Sequence, residues 1–220
     1  MTLWLEGRQG GGRYNAPREL KTPEKMQTFG CSFGYHFIMT DRIDALEKKM
    51  YEMSQELFKL RAEAPAEKVD DFTFQGGNGP VRLSELFGDK KELILIHNMG
   101  RSCDYCTMWA DGFESMRRHL ESRAAFVLVS PDSPVRQAEV RQERGWTYRM
   151  VQDDTREFTK AMGFWNEKDG WWPGTSVFTK NADGSVSRTG KTFFGPGDAF
   201  CPAWQFFSMM PGGAGEWEPK

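Results

Sequence analysis

The sequence lacks three features that would assign it to a class of protein at once. Its 220 residues include four cysteines, too few for a disulfide-stapled secreted scaffold, so we predict a reducing cytoplasm. No apolar run approaches the ~20 residues of a membrane-spanning helix, and the N-terminus lacks the basic and apolar regions of a secretory signal. Neither charge is in clear excess, because 29 basic and 31 acidic residues leave a formal charge of −2. We therefore predict a soluble cytoplasmic protein that binds neither membranes nor nucleic acid.

Residues 1–38 contain many residues that interrupt regular structure. Gly10-Gly11-Gly12, Pro17 and Pro23 divide the segment, and its apolar residues follow no sustained period. This composition predicts a flexible or loosely docked tail.

A helical pattern follows in residues 39–65. Its apolar residues alternate at spacings of three and four, and they are Ile43, Leu46, Met50, Met53, Leu57 and Leu60. The stripe predicts an amphipathic helical arm that begins at Thr40 or Asp41 and stops before Pro65. Because so narrow a stripe suits a partner helix, we expect a homodimer through helix 40–64. Docking of the arm on its own domain is the alternative.

Residues 66–220 alternate strand and helix patterns and form the main predicted domain. Apolar runs at Glu92–His97 and at residues 125–129 are typical of strands buried on both faces, and a helical pattern follows each. A hairpin pattern covers residues 176–194, and a last helical pattern covers residues 198–207. The order β-α-β-α-β-β-α predicts an α/β fold with a central mixed sheet flanked by helices.

Helix-capping signals mark two of the predicted helices. Ser133 and Pro134 are typical of a helix start, and Gly145 is typical of its end. Asp154 and Glu157 form the pattern of a capping box and predict a short helix after it.

Two cysteines three residues apart carry the chemistry. Cys103 and Cys106 follow a buried strand and lie in the first turn of a helix predicted to start at Ser102. There the free N–H groups and the helix dipole stabilise a thiolate, so we expect Cys103 to attack disulfides and Cys106 to resolve the mixed disulfide. Asp104 should oppose thiolate formation and Arg101 should partly offset it, which predicts modest acidification.

The cysteine pair has two other interpretations. It could be half of a zinc site, although the chain has no second Cys-x-x-Cys or paired histidine, or it could be redox-inert packing. We predict no metal and no cofactor other than the redox disulfide itself.

Two distant loops are expected to reach the same site. A cis Trp172–Pro173 bond would present the backbone of Trp172 to an incoming thiol or peptide, and a trans turn is the alternative. The glycine-rich loop at residues 195–198 should end beside Cys103, and Cys201 after it is either a third redox thiol or a small buried thiol. The predicted partner-binding residues are Arg101, Tyr105, Trp109, Trp172, Pro173, Gly195, Pro196, Gly197 and Asp198.

Several segments together resemble a known family. They are Asn98-Met99-Gly100, Cys103-Asp104-Tyr105-Cys106-Thr107, Trp109-Ala110-Asp111-Gly112-Phe113, Arg144-Gly145-Trp146, Trp171-Trp172-Pro173-Gly174 and Phe194-Gly195-Pro196-Gly197-Asp198. Over residues 40–220 the chain resembles a bacterial family of uncharacterised thioredoxin-like proteins, the domain-of-unknown-function 899 family. That family is related in fold to the alkyl-hydroperoxide-reductase and thiol-specific-antioxidant group. The resemblance implies a thioredoxin-like fold with an N-terminal helical arm, and it implies no particular substrate.

The sequence departs from the better-known relatives at the active cysteines. Thioredoxins carry a buried carboxylate six residues before the first cysteine; here that offset falls on His97, so His97 is either a proton relay or a packed residue. Peroxiredoxins carry Pro-x-x-x-Thr/Ser-x-x-Cys, and neither Cys103 nor Cys106 has that context. This departure argues against a peroxidase of the peroxiredoxin type.

The sequence thus supports three hypotheses of different class. The first is a thiol–disulfide oxidoreductase that acts on a thiol or disulfide of a protein, or on a small-molecule disulfide. The second is a redox-inactive dimeric binding module with a thioredoxin-like fold. The third is an antioxidant protein linked to peroxide or glutathione.

Overall fold

A computed structural model describes residues 31–220 of the protein, with side chains described from Thr40 onward. Residues 1–30, most of the predicted tail, lie outside the described residues. The described residues fall into two units, one that ends at Ser54 and one that spans Gln55–Lys220.

The first helix, α1, spans Cys31–Glu63. It ends before Pro65, as expected, but it begins nine residues before Thr40, so the predicted start is corrected to Cys31. Residues 31–39 contain one glycine and no proline, and this composition does not force the helix to end. The six apolar residues of the predicted stripe are 43–69% exposed.

The second unit contains the other regular elements. Its helices are α2 (Asp104–Arg123), α3 (Pro134–Arg144), α4 (Glu157–Ala161) and α5 (Ala203–Ser208). Its strands are β1 (Glu67–Val69), β2 (Thr73–Gly76), β3 (Gly79–Arg82), β4 (Glu92–His97), β5 (Ala125–Ser130), β6 (Arg149–Gln152), β7 (Trp165–Asn166), β8 (Gly170–Trp171), β9 (Gly174–Lys180) and β10 (Val186–Phe193). None of the helices in the described residues has the length and the apolar character needed to cross a membrane.

Within the described residues, eight strands form one sheet in the order β1-β10-β9-β4-β5-β6-β2-β3. Strands β4, β5 and β6 run parallel, and β9 runs antiparallel to β4. Helix α2 connects β4 to β5, and α3 connects β5 to β6. Strands β7 and β8 pair with each other in a separate hairpin. The α/β architecture with a mixed central sheet is the one predicted from the sequence.

The local capping signals determine α3 but not α4. The Ser133 side chain accepts a hydrogen bond from the Arg136 N–H at the start of α3, and Gly145 has a left-handed φ of 71° at its end. The capping box predicted at Asp154 does not cap α4. The N-cap is Arg156, two residues later, with a φ of 62° and no side-chain cap. The predicted start of α4 is therefore corrected.

Apolar side chains pack on both faces of β4. Leu93 and Leu95 belong to one core, together with Phe158 and Phe164 of the segment around α4. Ile96 belongs to a second core, which contains the buried face of α2. Because successive strand residues point to opposite faces, the end of β4 presents one side chain to each core.

Candidate thiol–disulfide site

A short loop carries the chain from the end of β4 to the start of α2. The Asn98 side chain accepts a hydrogen bond from the Gly100 N–H (2.8 Å) and donates one to the Cys106 carbonyl (3.3 Å). The Arg101 N–H donates to the Asp132 carboxylate (2.7 Å) in the loop after β5. These bonds fix the loop at both ends, so the helix starts at a defined place.

Gly100 is required by the shape of this loop. Its φ is 98°, and a Cβ at this position would lie 3.2 Å from the Asp132 carboxylate. A side chain would therefore be strained in the backbone and would crowd the group that holds Arg101.

Cys103 is the N-cap of α2. Its Sγ accepts a hydrogen bond from the Cys106 N–H (3.1 Å), and its side chain is half-buried. Cys106 is buried in the first turn, and its Sγ accepts a hydrogen bond from the Met99 N–H (3.5 Å). Both cysteines are free thiols in the structure. The half-buried thiol of Cys103 and the buried thiol of Cys106 are thus neighbours at the N-terminus of a 20-residue helix.

Hydrogen bonding lowers the pKa of Cys103 to about 7. The main cause is the hydrogen bond from the Cys106 thiol, and the backbone N–H groups of Cys106 and Tyr105 add to it. Partial burial and the charge of Asp104 oppose the shift. The pKa of Cys106 is raised because its thiol is held as the donor to Cys103 and because it is buried.

Arg101 does not provide the offset predicted for it. Its guanidinium hydrogen-bonds to the Glu143 carboxylate and lies 3.8 Å from that of Glu139. The modest acidification of Cys103 therefore comes from hydrogen bonds, while Asp104 opposes it as expected.

A cleft of about 560 Å³ opens beside Cys103. The cysteine loop and the start of α2 form one wall, which includes Tyr105. Asp169 and Trp171 of the β7–β8 hairpin also line the cleft, as do Glu218 and Pro219 near the C-terminus. The remaining lining residues are Met99, Ser102 and Asp104.

The residues that line the cleft differ in part from those predicted from the sequence. The sequence analysis missed Asp169, Glu218 and Pro219, and it selected Trp172, whereas Trp171 lines the cleft. Trp171 is the last residue of β8 and Trp172 lies beyond the strand, and the sequence carries no local signal that distinguishes the two.

The Trp172–Pro173 bond is trans, and the described residues contain no cis peptide bond, so the predicted cis bond is wrong. The Trp172 N–H donates to the Phe164 carbonyl (2.8 Å), and the Pro173 carbonyl accepts from the Phe194 N–H (2.9 Å). The Trp172 ring packs edge-on against Phe193 and is half-exposed. These internal hydrogen bonds hold the segment, and they occupy the backbone donor that was expected to meet a partner.

The loop at residues 195–198 supports α2 and does not line the cleft. The Asp198 carboxylate accepts hydrogen bonds from the Gly195 N–H (2.9 Å), the Phe200 N–H (2.7 Å) and the Trp109 indole (3.4 Å). Gly197 has a φ of 90°, which glycine adopts without strain. Asp198 thereby joins its own loop to the buried face of α2.

Two predicted site residues lie in the core beneath that loop. Trp109 is 3% exposed and Cys201 is 5% exposed, and both belong to the core that packs under α2. The Cys201 N–H donates to Asp198 (3.1 Å). Of the two roles predicted for Cys201, this environment is that of a small buried thiol.

His97 is a packed residue on the other face of the sheet. Its Nε2 lies 3.0 Å from the Ser176 hydroxyl, and its ring stacks on Phe164 with centroids 3.8 Å apart. Burial lowers the pKa of His97, and the charges of Arg188 and Lys191 lower it further. The sheet thus places His97 with the core opposite α2, and of its two predicted roles the packed one fits this position.

Within the described residues, no group of three or more His, Cys, Asp and Glu side chains is arranged to hold a metal ion.

Comparison with known proteins gives a family and a fold. The profile of a family described as bacterial protein of unknown function (DUF899) matches residues 40–220. No curated protein matches the sequence significantly.

Solved structures with a similar fold include peroxiredoxins. A cysteine-to-serine variant of PrxQ from Xylella fastidiosa has a TM-score of 0.51 at 16% identity, over 59% of this chain and 85% of that chain. Peroxidoxin BcpB from Mycobacterium tuberculosis has a TM-score of 0.46 at 25% identity, over 55% of this chain and 80% of that chain. The similarity to PrxQ shows a thioredoxin-like fold, which was expected from the sequence.

Proposed function

Since the chain belongs to the bacterial DUF899 family and has a thioredoxin-like fold, we propose that it is a thiol–disulfide oxidoreductase. One observation carries this proposal. A half-exposed thiol, Cys103, caps helix α2, where its Sγ accepts a hydrogen bond from the Cys106 N–H (3.1 Å), and a second, buried thiol, Cys106, lies three residues further along. In this position the pKa of Cys103 is lowered to about 7. A nucleophile and a resolving group are therefore adjacent in the same helical turn.

In the first step, the Cys103 thiolate attacks one sulfur of a substrate disulfide. A mixed disulfide forms on Cys103, and half of the substrate leaves as a thiolate. Cys106 then loses its proton and attacks the Cys103 sulfur, and the second substrate thiolate leaves. The protein gives up two electrons and acquires a disulfide, and the substrate is reduced to two thiols.

The hydrogen bond between the two cysteines sets the order of these steps. In the reduced protein, the pKa of Cys106 is raised by its hydrogen bond to Cys103, by burial and by the charge of Cys103. Formation of the mixed disulfide consumes that charge, so two of the three causes weaken and Cys106 becomes easier to deprotonate. The resolving thiol is therefore activated only after the first attack.

A pKa near 7 favours reduction of substrates over strong oxidation. Strongly oxidising thiol pairs stabilise their reduced form by a far lower pKa of the exposed thiol. Here burial and Asp104 oppose the shift, so the thiolate is stabilised to a limited extent. We expect the reduced protein to donate electrons to disulfides, in a reducing compartment such as the cytoplasm.

Counting free thiols before and after a mild oxidant tests the proposal. We expect the wild type to lose two thiols and to recover both with dithiothreitol. Cys103→Ser should lose neither, and Cys201→Ser, a control that removes a buried thiol of the core under α2, should still lose two. If no reversible loss of two thiols occurs in the wild type, the chain is not an oxidoreductase of this kind. Reduction of insulin disulfides with a thiol donor then separates the enzyme from a binding module, which would be inactive.

The exposed stripe of α1 supports a second proposal, a homodimer through this helix. Its six apolar residues keep a heptad-like spacing and are 43–69% exposed, as suits contact with the same helix of a second copy. We expect Met50→Lys combined with Met53→Lys to halve the mass measured by light scattering. Lys59→Ser, off the stripe, should leave the mass unchanged. An equal mass for the wild type and the double variant would contradict the dimer.

A further inference from the structure

We propose that the cleft beside Cys103 selects small disulfides that carry positive charge, such as the disulfides of aminothiols. The inference rests on the proposed function, because it concerns what the Cys103 thiolate attacks. It is carried by the charge and the aromatic character of the residues around that sulfur.

The charged residues that line the cleft all have the same sign. Asp104, Asp169 and Glu218 are acidic, and none of the nine lining residues is basic. The described residues include no lysine or arginine that forms an ion pair with any of the three: Arg101, the basic residue of the cysteine loop, is paired with Glu143. None of the three carboxylates is therefore held in an ion pair within the described residues.

The three carboxylates come from separate parts of the chain. Asp104 lies in the first turn of α2, Asp169 in the β7–β8 hairpin, and Glu218 close to the C-terminus. A substrate that enters the cleft beside Cys103 thus meets acidic residues from three separate elements of the fold. Such a field attracts cations to the thiolate and repels anions, an effect that decreases with ionic strength.

Two aromatic side chains add a second feature that favours organic cations. Tyr105 and Trp171 line the same cleft, and both are partly exposed. The face of an aromatic ring attracts an alkylammonium group, most strongly when water is partly excluded. A volume of about 560 Å³ suits a small molecule. An aminothiol disulfide provides ammonium groups for these surfaces at both ends of its S–S bond.

The reaction consumes one disulfide for each reduced protein molecule. Cys103 and Cys106 lose two electrons and form the protein disulfide, and the substrate is released as two aminothiols. A single turnover is therefore complete without a further reductant.

The test measures single-turnover oxidation of the reduced full-length protein by three small disulfides of similar size. They are cystamine with two ammonium groups, 2-hydroxyethyl disulfide without charge, and 3,3′-dithiodipropionate with two carboxylates. Each rate is divided by the rate of the same disulfide with 2-mercaptoethanol, which removes differences in intrinsic reactivity. We expect cystamine to exceed dithiodipropionate by at least about tenfold at low ionic strength, with a smaller ratio at high salt.

Variants assign the selectivity to the cleft. Asp169→Asn combined with Glu218→Gln should reduce the cystamine-to-dithiodipropionate ratio by at least about threefold. Asp89→Asn, an exposed carboxylate before the opposite end of β4, is the matched control and should keep the ratio. Asp104 is left in place because it also affects the pKa of Cys103.

Three outcomes would contradict the charge selectivity proposed for the cleft. Normalised rates that do not depend on the charge of the disulfide would overturn the inference and leave the oxidoreductase intact. An equal ratio in the wild type and in an Asp169→Asn/Glu218→Gln variant with an unchanged melting temperature would also overturn it. Oxidation by none of the three disulfides would overturn the inference, and the count of free thiols under a mild oxidant would then show whether the oxidoreductase itself is also excluded.

Discussion

His97 and Cys103 lie six residues apart on either side of one loop, and the environments of their titratable side chains differ. His97 ends β4 and is buried against aromatic rings, where its pKa is lowered and its neutral form is favoured. Cys103 begins α2 and is half-exposed, and its pKa is lowered so that its charged form is favoured. The difference shows that burial and hydrogen bonds, more than closeness in sequence, decide which group is ready to react.

The backbone accounts for the difference. Strand alternation directs His97 to the face that carries Leu93 and Leu95, into the core with Phe158 and Phe164. The loop after β4 then turns the chain, so that Cys103 accepts the N–H of Cys106 at the helix start. His97 is therefore buried by packing, whereas the Cys103 sulfur receives hydrogen bonds at the start of the helix.

The largest effect that separates the two positions is expected from His97→Ala. Loss of the buried ring should lower the free energy of unfolding by about 2–4 kcal/mol, because it leaves a cavity beside Phe164. Alkylation of Cys103 should change by less than about twofold, since His97 packs in the other core. Chemical denaturation and the rate with iodoacetamide measure the two quantities. If alkylation of Cys103 were tenfold slower in a folded His97→Ala protein, the result would support a proton-relay role for His97.

The buried His97 should also make the stability of the protein depend on pH. Because the folded protein lowers the pKa of His97, the unfolded chain takes up a proton that the folded chain does not. This contribution to stability is present above the unfolded pKa and is lost as the pH falls below about 6.5. Denaturation at pH 7 and pH 5 should show a smaller loss in His97→Ala than in the wild type. An equal loss in both would contradict a buried neutral histidine.

The pH response of Cys103 should appear in its reactivity, whereas that of His97 appears in stability. With its pKa at about 7, its thiolate share rises from about 10% at pH 6 to about 90% at pH 8, so alkylation should accelerate by roughly tenfold and then level off. Cys201→Ser should give the same profile. A rate that keeps rising through pH 9 would mean that Cys103 is an ordinary thiol.

Removing the thiol donor should slow Cys103 by a smaller factor. Cys106→Ala loses the largest cause of the lowered pKa, and we expect alkylation at pH 7 to slow by about 5- to 10-fold after the higher nucleophilicity of a more basic thiolate is included. Cys106→Ser keeps an O–H donor and should lie between this variant and the wild type. Equal rates in the three proteins would contradict the hydrogen bond as the cause.

The smallest effect is expected at Asp104. Its charge raises the pKa of Cys103, so Asp104→Asn should increase the alkylation rate at pH 6 by about twofold. Asp89→Asn serves as the control for a general change of charge. A slower rate in Asp104→Asn would reverse the sign assigned to this carboxylate.

The sequence predicts the features that depend on neighbouring residues. Short segments of the sequence are enough to predict three of them. These are strand β4, the cysteine pair at its junction with α2, and the caps of α3 at Ser133 and Gly145. Each rests on local chemistry, such as burial on both faces of a strand or a capping hydroxyl.

The features that the sequence does not predict depend on distant contacts. Strand β6 has four residues and is defined by its pairing with β5. The side of the sheet that receives His97 depends on Phe164, and the use of Asp198 as a support depends on Trp109. Glu218 reaches the cleft from the far end of the chain. The sequence thus identifies the two cysteines that we propose to react, but not the residues that line the cleft beside them.

A redox titration with a readout for each cysteine tests the central claim most directly. The full-length protein is equilibrated in dithiothreitol buffers of graded potential, quenched with acid and unfolded in denaturant so that buried thiols also react. Its free thiols are then alkylated, and each cysteine is quantified by mass spectrometry. We predict a single two-electron transition in which Cys103 and Cys106 become protected together while Cys201 stays alkylated at every potential. The absence of a transition, or one that joins Cys103 to a cysteine other than Cys106, would contradict the account.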